Sequence, residues 1–195
     1  MRRLFVWLTI LLLGSSLTAL RAAAAPADKT AHIDDTIQQL PQGLGDIDVL
    51  EGKLADFERH SGIRILMEFH QRSPTSEEDK VAGAFMRELS GRLGVRQHGV
   101  LVVYFADESD WRVWIGDDLT PRLVGKPGTV KELTASGAIH NAKEAIFASA
   151  HAQADASLAE LQKKLSGDEQ LPPALRVRAQ AAALLDALIA KLGPK

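Results

Sequence analysis

The sequence contains no cysteine, and this absence removes several kinds of protein from consideration. A disulfide-stabilised scaffold, a thiolate metal site and a cysteine nucleophile all need a residue that the chain does not have. Aromatic residues make up only 5% of the chain, which argues against a stacking surface for single-stranded nucleic acid. The formal net charge is −2, so the chain also lacks the basic excess of a nucleic-acid-binding protein.

The N-terminus holds the one long apolar stretch of the chain. Two arginines precede an apolar segment from Leu4 to Leu20, and a run of alanines follows from Ala22 to Ala25. This order is typical of a secretory signal peptide over residues 1–24, cleaved near Ala24. An uncleaved anchor is the alternative, but the 17 residues of the segment fall short of the roughly 20 that a spanning helix needs. We therefore expect a secreted or periplasmic protein with no stable membrane span after cleavage.

Cleavage also changes the charge of the protein. It removes three arginines and no acidic residue, so the mature chain carries a formal net charge of −5. Such a chain repels phosphate backbones, and nucleic acid is therefore not expected as a partner.

The hydrophobic pattern of the remaining chain predicts one α/β domain with a C-terminal addition. Residues 25–45 hold prolines and glycines among polar residues and are interpreted as a lead-in loop. The domain itself is expected over residues 46–166, followed by a linker and a C-terminal helix over residues 167–195. The pattern predicts these elements in order: a helix from Asp46 to Gly62, a strand over 63–69, a helix capped by Ser76 and ending at Gly94, strands over 100–105 and 111–115, and a helical region over 130–165 that bends near 149–153.

A strand, a helix and a second strand in succession form a parallel crossover unit, and a hairpin strand adds to one edge. The fold class is therefore α/β, a three-layer α/β/α sandwich with a small mixed sheet of about four strands. Trp111 and Trp114 alternate on the last strand, so one of them faces each side of the sheet. If the long helical region covers the side of Trp114, that ring is buried; if it does not, Trp114 is exposed and becomes a candidate partner contact.

The C-terminal helix is amphipathic and needs a surface to cover. Its predicted apolar stripe is Leu175, Ala182, Leu185, Ile189 and Leu192. That surface is its own domain, a second copy or partner, or a membrane. Docking on its own domain is favoured because the linker is short. The protein is accordingly expected to be a monomer or a weak homodimer.

The familiar catalytic motifs are missing, and the acidic residues are the main candidates for a site. The chain has no G-x-S-x-G, no nucleotide-binding glycine motif and no H-E-x-x-H. The acidic group at 107–110 fits turn chemistry. Asp117 and Asp118 follow the returning strand, at the sheet edge where His98 enters the central strand. Adjacent carboxylates suit a hard cation, so we predict that Asp117 and Asp118 bind Ca²⁺ or Mg²⁺, with a solvated loop as the alternative.

Three segments of the chain resemble the TPM-domain family: Ser61-Gly62-Ile63-Arg64-Ile65-Leu66, His98-Gly99-Val100-Leu101-Val102-Val103, and Trp111-Arg112-Val113-Trp114-Ile115-Gly116-Asp117-Asp118-Leu119. The resemblance covers about residues 35–165. It implies an α/β/α sandwich that is exported or tethered to a membrane. Some members resemble calcium-binding acid phosphatases, and plant thylakoid relatives take part in photosystem repair.

The chain departs from the family pattern at its candidate site. Gln97-His98 stands where the family often has Asp-Asn, and Asp118 stands where a glycine is usual. The common C-terminal spanning helix and glycine-rich tail are missing. Two hypotheses follow. The first is a TPM-like domain that binds a divalent cation through Asp117 and Asp118 and hydrolyses phosphomonoesters weakly, with His98 as a proton shuttle. The second is a non-catalytic module that binds or assists an envelope protein.

Overall fold

A computed structural model describes residues 31–41, 46–165 and 170–194. The predicted signal peptide lies outside these residues. The described strands are β1 (Ile33–Asp34), β2 (Arg64–His70), β3 (Gly99–Phe105) and β4 (Asp110–Ile115). The helices are α1 (Asp46–Ser61), α2 (Ala84–Arg92), α3 (Thr120–Val124), α4 (Val130–Ala135), α5 (Ala138–Gln162) and α6 (Pro173–Leu192), with a 3₁₀ turn at Asp117–Leu119 before α3.

The four strands form one mixed sheet in the order β1-β2-β3-β4. The first three strands run parallel, and β4 returns antiparallel to β3 with Phe105 opposite Asp110 and Val100 opposite Ile115. The expected small mixed sheet of four strands is confirmed. The short strand β1 lies inside the segment predicted as a lead-in loop. Two residues are too few for a detectable alternation, so the pairing partner alone makes this strand.

Side chains alternate between two unequal cores on the two faces of the sheet. One face carries Val100, Val102 and Val113 and packs against α1, α5 and α6. The other face carries Leu101, Val103 and Phe105 and packs against the short helix α2. This distribution gives the α/β/α arrangement, with most of the buried apolar surface on the first face.

Trp114 lies on the α2 face and not under the long helical region. The ring is partly buried, and its Nε1–H donates to the carbonyl of Arg96 at 3.2 Å. The condition that the long helical region covers this side is not met, because α5 and α6 pack together on the face of Trp111. Alternation along β4 separates the two faces but carries no information about which helix covers each.

Two helix boundaries also differ from the prediction. The second helix begins at Ala84, after turns that include an exposed Val81, and its N-cap is Gly83 with a φ of 79° and not Ser76. The expected bend near 149–153 is absent from α5, which runs unbroken through these positions. The break lies at Ser136–Gly137, where Gly137 adopts a φ of 71° that a glycine reaches without strain.

Helix α6 packs on its own domain, as the short linker favoured. Its buried residues are Val177, Ala181, Ala183, Leu184, Leu185, Leu188 and Leu192. The buried stripe is therefore rotated from the predicted one, since Leu175, Ala182 and Ile189 are only half-buried. Lys53 of α1 and Asp186 of α6 form an ion pair at 2.5 Å beside this contact.

Candidate functional site

The predicted site residues lie at the amino end of the sheet, where β3 begins and β4 ends. Backbone hydrogen bonds join the loop before β3 to the turn after β4, and the N–H of Asp118 donates to the carbonyl of Gln97 at 3.0 Å. A Cβ on Gly116 would lie 2.5 Å from the Gln97 carbonyl oxygen, so the close approach of the two segments requires glycine. Asp117, Asp118 and His98 thus share one rigid edge.

The side chains at this edge are open to solvent. His98 Nδ1 lies 3.8 Å from Asp118 Oδ2, and both side chains are 63% exposed. Asp117 is half-buried, and its carbonyl accepts a hydrogen bond from the Thr120 hydroxyl at 2.9 Å. The arrangement places one imidazole beside one carboxylate at an exposed position.

The donor set at this edge does not fit an enclosed divalent-cation site. Ca²⁺ takes roughly six to eight oxygen ligands, and Mg²⁺ takes about six in a near-octahedral shell. Over residues 31–41, 46–165 and 170–194, no group of three or more His, Cys, Asp or Glu side chains is arranged to hold a metal ion. The predicted cation site at Asp117 and Asp118 therefore stays a prediction.

Asp107 lies at the opposite end of the sheet, the carboxyl end, and its hydrogen bonds hold the loop after β2. Its carboxylate accepts hydrogen bonds from the Ser73 N–H at 2.9 and 3.0 Å and from the Ser73 hydroxyl at 3.0 Å. The backbone hydrogen bond from Ser73, together with the others, holds the pKa of Asp107 below its usual range. This role in loop structure agrees with the expected turn chemistry.

A cavity of about 200 Å³ lies beside this loop, at the carboxyl end of β2. Arg72 and Glu78 form its rim through two hydrogen bonds of 3.0 and 3.1 Å. The bond from Arg72, followed by bonds from the Thr75 N–H and hydroxyl, lowers the pKa of Glu78 to about 2. The pKa of Arg72 rises for the same reason. Sequence analysis missed this pair, although a Thr and a Glu at positions i and i+3 are a recognisable capping pattern.

Sequence analysis also missed His32, which lay in the predicted loop. The imidazole is only 5% exposed and contacts Glu51 and Glu58 of α1. Seven residues separate these two carboxylates, which is two helical turns, so they share one face of α1. Nothing in the sequence shows that a histidine outside the helix fits between them.

Charge is unevenly distributed between the two ends of the sheet. At the carboxyl end, Arg112 contacts three carboxylates, those of Asp79, Glu108 and Asp110. At the amino end, the exposed cations include Arg92, Arg96, Arg122 and Lys126, and the carboxylates of Asp117 and Asp118 lie at the same end. Within the part of the chain that the structure describes, none of these four has an ion-pair partner within 4.0 Å. The amino end therefore presents four cations without a direct ion pair, beside the two carboxylates of Asp117 and Asp118.

Comparison with known proteins gives a structural neighbour of low similarity. No protein-family model and no curated protein matches the chain. The solution NMR structure of the N-terminal domain of a protein from P. gingivalis is 16% identical and has a TM-score of 0.48, covering 85% of this chain and 87% of that one. The resemblance to the TPM family therefore rests on the sequence motifs and stays a prediction. No helix within the described ranges is long and apolar enough to cross a membrane.

Proposed function

We propose that this chain is an exported, non-catalytic interaction domain of the cell envelope. The observation that supports this proposal is the set of exposed cations at the amino end of the sheet, above all Arg92, Arg96 and Arg122. Arginine is suited to pairing with carboxylates through its planar, multidentate guanidinium group. The partner chemistry is therefore an acidic protein surface.

The position of these arginines favours a fixed binding edge over a flexible one. Arg92 ends α2. Arg96 lies in the loop before β3, and its own carbonyl accepts a hydrogen bond from the Asp117 N–H at 3.3 Å. Arg122 lies in α3, directly after the 3₁₀ turn. The backbones that carry the three guanidinium groups are thus joined to the sheet, and binding an acidic surface orders little more than the side chains.

The proposal is tested with poly-glutamate as an acidic polypeptide probe. The triple variant Arg92→Gln, Arg96→Gln, Arg122→Gln should weaken binding at least roughly tenfold at low salt and reduce its salt dependence. The matched control replaces three exposed cations away from this edge: Lys80, Lys164 and Arg176. Equal loss in the control variant, or binding that does not change with salt, would refute the proposed surface.

A second candidate function is divalent-cation binding with weak phosphomonoester hydrolysis. It is favoured by one observation, the 3.8 Å contact between His98 and Asp118 next to Asp117. A nearby carboxylate can orient an imidazole for proton transfer. This candidate predicts hydrolysis of p-nitrophenyl phosphate that disappears with chelator and in Asp117→Asn, and that persists in the control Asp155→Asn on the exposed side of α5. If no hydrolysis is measured with calcium or with magnesium, this second candidate is refuted and the interaction-domain proposal is favoured.

A further inference from the structure

His32 fastens the N-terminal segment to the rest of the domain through its side chain and backbone. Its ring Nδ1 lies 2.5 Å from Glu51 Oε1, and its Nε2 lies 2.7 Å from Glu58 Oε2. Its backbone N–H also donates to Glu51 at 2.7 Å, and the N–H of Ile33 donates to the other oxygen of the same carboxylate at 3.0 Å. The buried imidazole therefore has a carboxylate on each side.

The number of donors on the ring decides whether both contacts are favourable. An ionised carboxylate only accepts hydrogen bonds, whereas a neutral imidazole has one N–H donor and one acceptor nitrogen. Both ring contacts of His32 are therefore hydrogen bonds only when the imidazole carries two protons. With one proton, a nitrogen lone pair of the buried ring faces a carboxylate oxygen at hydrogen-bond distance, which is repulsive.

The charged groups around the ring leave these two glutamates as its direct partners in the described part of the chain. From β2, Arg64 donates to the carbonyl of Ala31 at 3.1 Å and adds a positive charge near the segment. Glu68, also on β2, is opposite Asp34 in the sheet but is bonded to His70 at 2.8 Å. On the segment itself, Asp34 and Asp35 accept backbone N–H groups of the following turn. None of these replaces the second proton on His32.

Leu40 anchors the far end of this segment in the main core, where it is 1% exposed, so release concerns the part before it, residues 31–34. Besides the ring, that part is held by the bonds to Glu51, by Arg64 and by the partly buried Ile33. Strand β1 is two residues long, and the carbonyl of His32 accepts the N–H of Met67 at 2.8 Å at the sheet edge. We propose that His32 is a pH-sensitive clasp for this edge. The doubly protonated ring holds β1 against α1 and β2, and the neutral ring releases it. Release uncovers the backbone of β2 at Met67, and unpaired strand edges of this kind accept an added strand.

The direction of the pH effect follows from the protonated form being the one that is bonded. The clasp is complete while the ring holds both protons and the glutamates are ionised. Its contribution is lost as rising pH removes the second proton. Opening is expected to be local, because Leu40 anchors the far end of the segment in the main core.

The test is amide hydrogen exchange at residues 32–34, measured by NMR and corrected for the intrinsic pH dependence of exchange. Between about pH 6 and about pH 9, protection at these amides should fall roughly tenfold or more relative to the amides of β3, since one charge-assisted hydrogen bond is lost and a repulsive contact between a lone pair and a carboxylate takes its place. Glu58→Gln should abolish this pH dependence, because an amide can donate to a neutral ring or accept from it. The matched control His60→Gln, an exposed histidine on the same helix, should leave the pH dependence intact.

The ring nitrogens of the unmodified protein give a second readout that needs no variant. Their ¹⁵N shifts should report an imidazolium for His32 at the pH where residues 32–34 are protected, and a neutral ring at the pH where protection is lost. A neutral ring together with full protection overturns the proposal. Protection that is the same at both ends of the pH range also overturns it, as does loss of the effect in His60→Gln.

Discussion

Gly116→Ala should destabilise the protein by disrupting the contact that carries the candidate site. The backbone of Gly116 has φ −56° and ψ 146°, which alanine adopts freely, so the cost comes from contact alone. The added Cβ would lie 2.5 Å from the Gln97 carbonyl oxygen and 2.8 Å from that of Gly99. Both obstacles are backbone atoms, so no side-chain rotation relieves the clash.

Relief requires the turn after β4 to move away from the loop before β3. Three backbone hydrogen bonds join these segments, with N–H groups of Gly116, Asp117 and Asp118 as donors. At about 1 kcal/mol each, their loss and the residual strain give an expected destabilisation of roughly 2–4 kcal/mol. His98 should also lose its fixed position beside Asp118.

Urea unfolding followed by tryptophan fluorescence measures this change, because Trp111 and Trp114 both lie on β4. The matched control is Gly52→Ala, at an exposed position of α1 where a Cβ meets nothing within 4 Å. The control should gain about 0.5–1 kcal/mol, the difference in helix propensity between the two residues. A Gly116→Ala protein within about 0.5 kcal/mol of the wild type would refute the steric reasoning.

Three further predictions concern the core and two charged groups. Leu188→Ala, at a fully buried position of α6, should lower the free energy of unfolding in urea by about 2–5 kcal/mol. A loss no larger than that of a substitution at an exposed position would contradict docking of α6. Burial lowers the pKa of Lys143, whose ammonium donates to the Val113 carbonyl at 2.7 Å. The unfolded chain therefore binds this proton more tightly than the folded protein, so the free energy of unfolding should rise with pH in the range below the ordinary lysine pKa of 10.5. Lys143→Met should remove this rise when unfolding is measured between about pH 8 and 10. The pKa of the Glu78 carboxyl is lowered to about 2, so its bond to Arg72 should contribute to folding stability above pH 4.5, the ordinary pKa value, and be lost only as pH falls towards 2. A ¹³C titration by NMR measures this pKa, and Arg72→Gln should raise the midpoint of the Glu78 titration.

The sequence predicted the strands better than the helix boundaries, for a physical reason. The continuous apolar run of β3 and the alternation in β4 are determined by burial on both faces and on one face, and each can be recognised within a few residues. The start of α2 and the break before α5 depend on which polar side chain or glycine ends a helix. Several residues in each region had the right chemistry, and only packing selected among them.

The candidate site was also predictable from the sequence only in part. Strand order and an antiparallel return were enough to place His98, Asp117 and Asp118 at one edge, and the structure puts them there. Whether those side chains point into a cavity or into solvent depends on what covers the edge, which periodicity does not encode.

Local sequence therefore determined what each segment is, and the tertiary structure decided what each segment meets. A hydrophobic period records that a face is buried but not against which element, so the choice of α2 for Trp114 and of α5 and α6 for the other face came only from packing. The same limit applies to β1 and His32. Two residues of strand and one histidine are too few to form a pattern, and they have a defined position only because α1 presents two carboxylates and β2 presents an open edge.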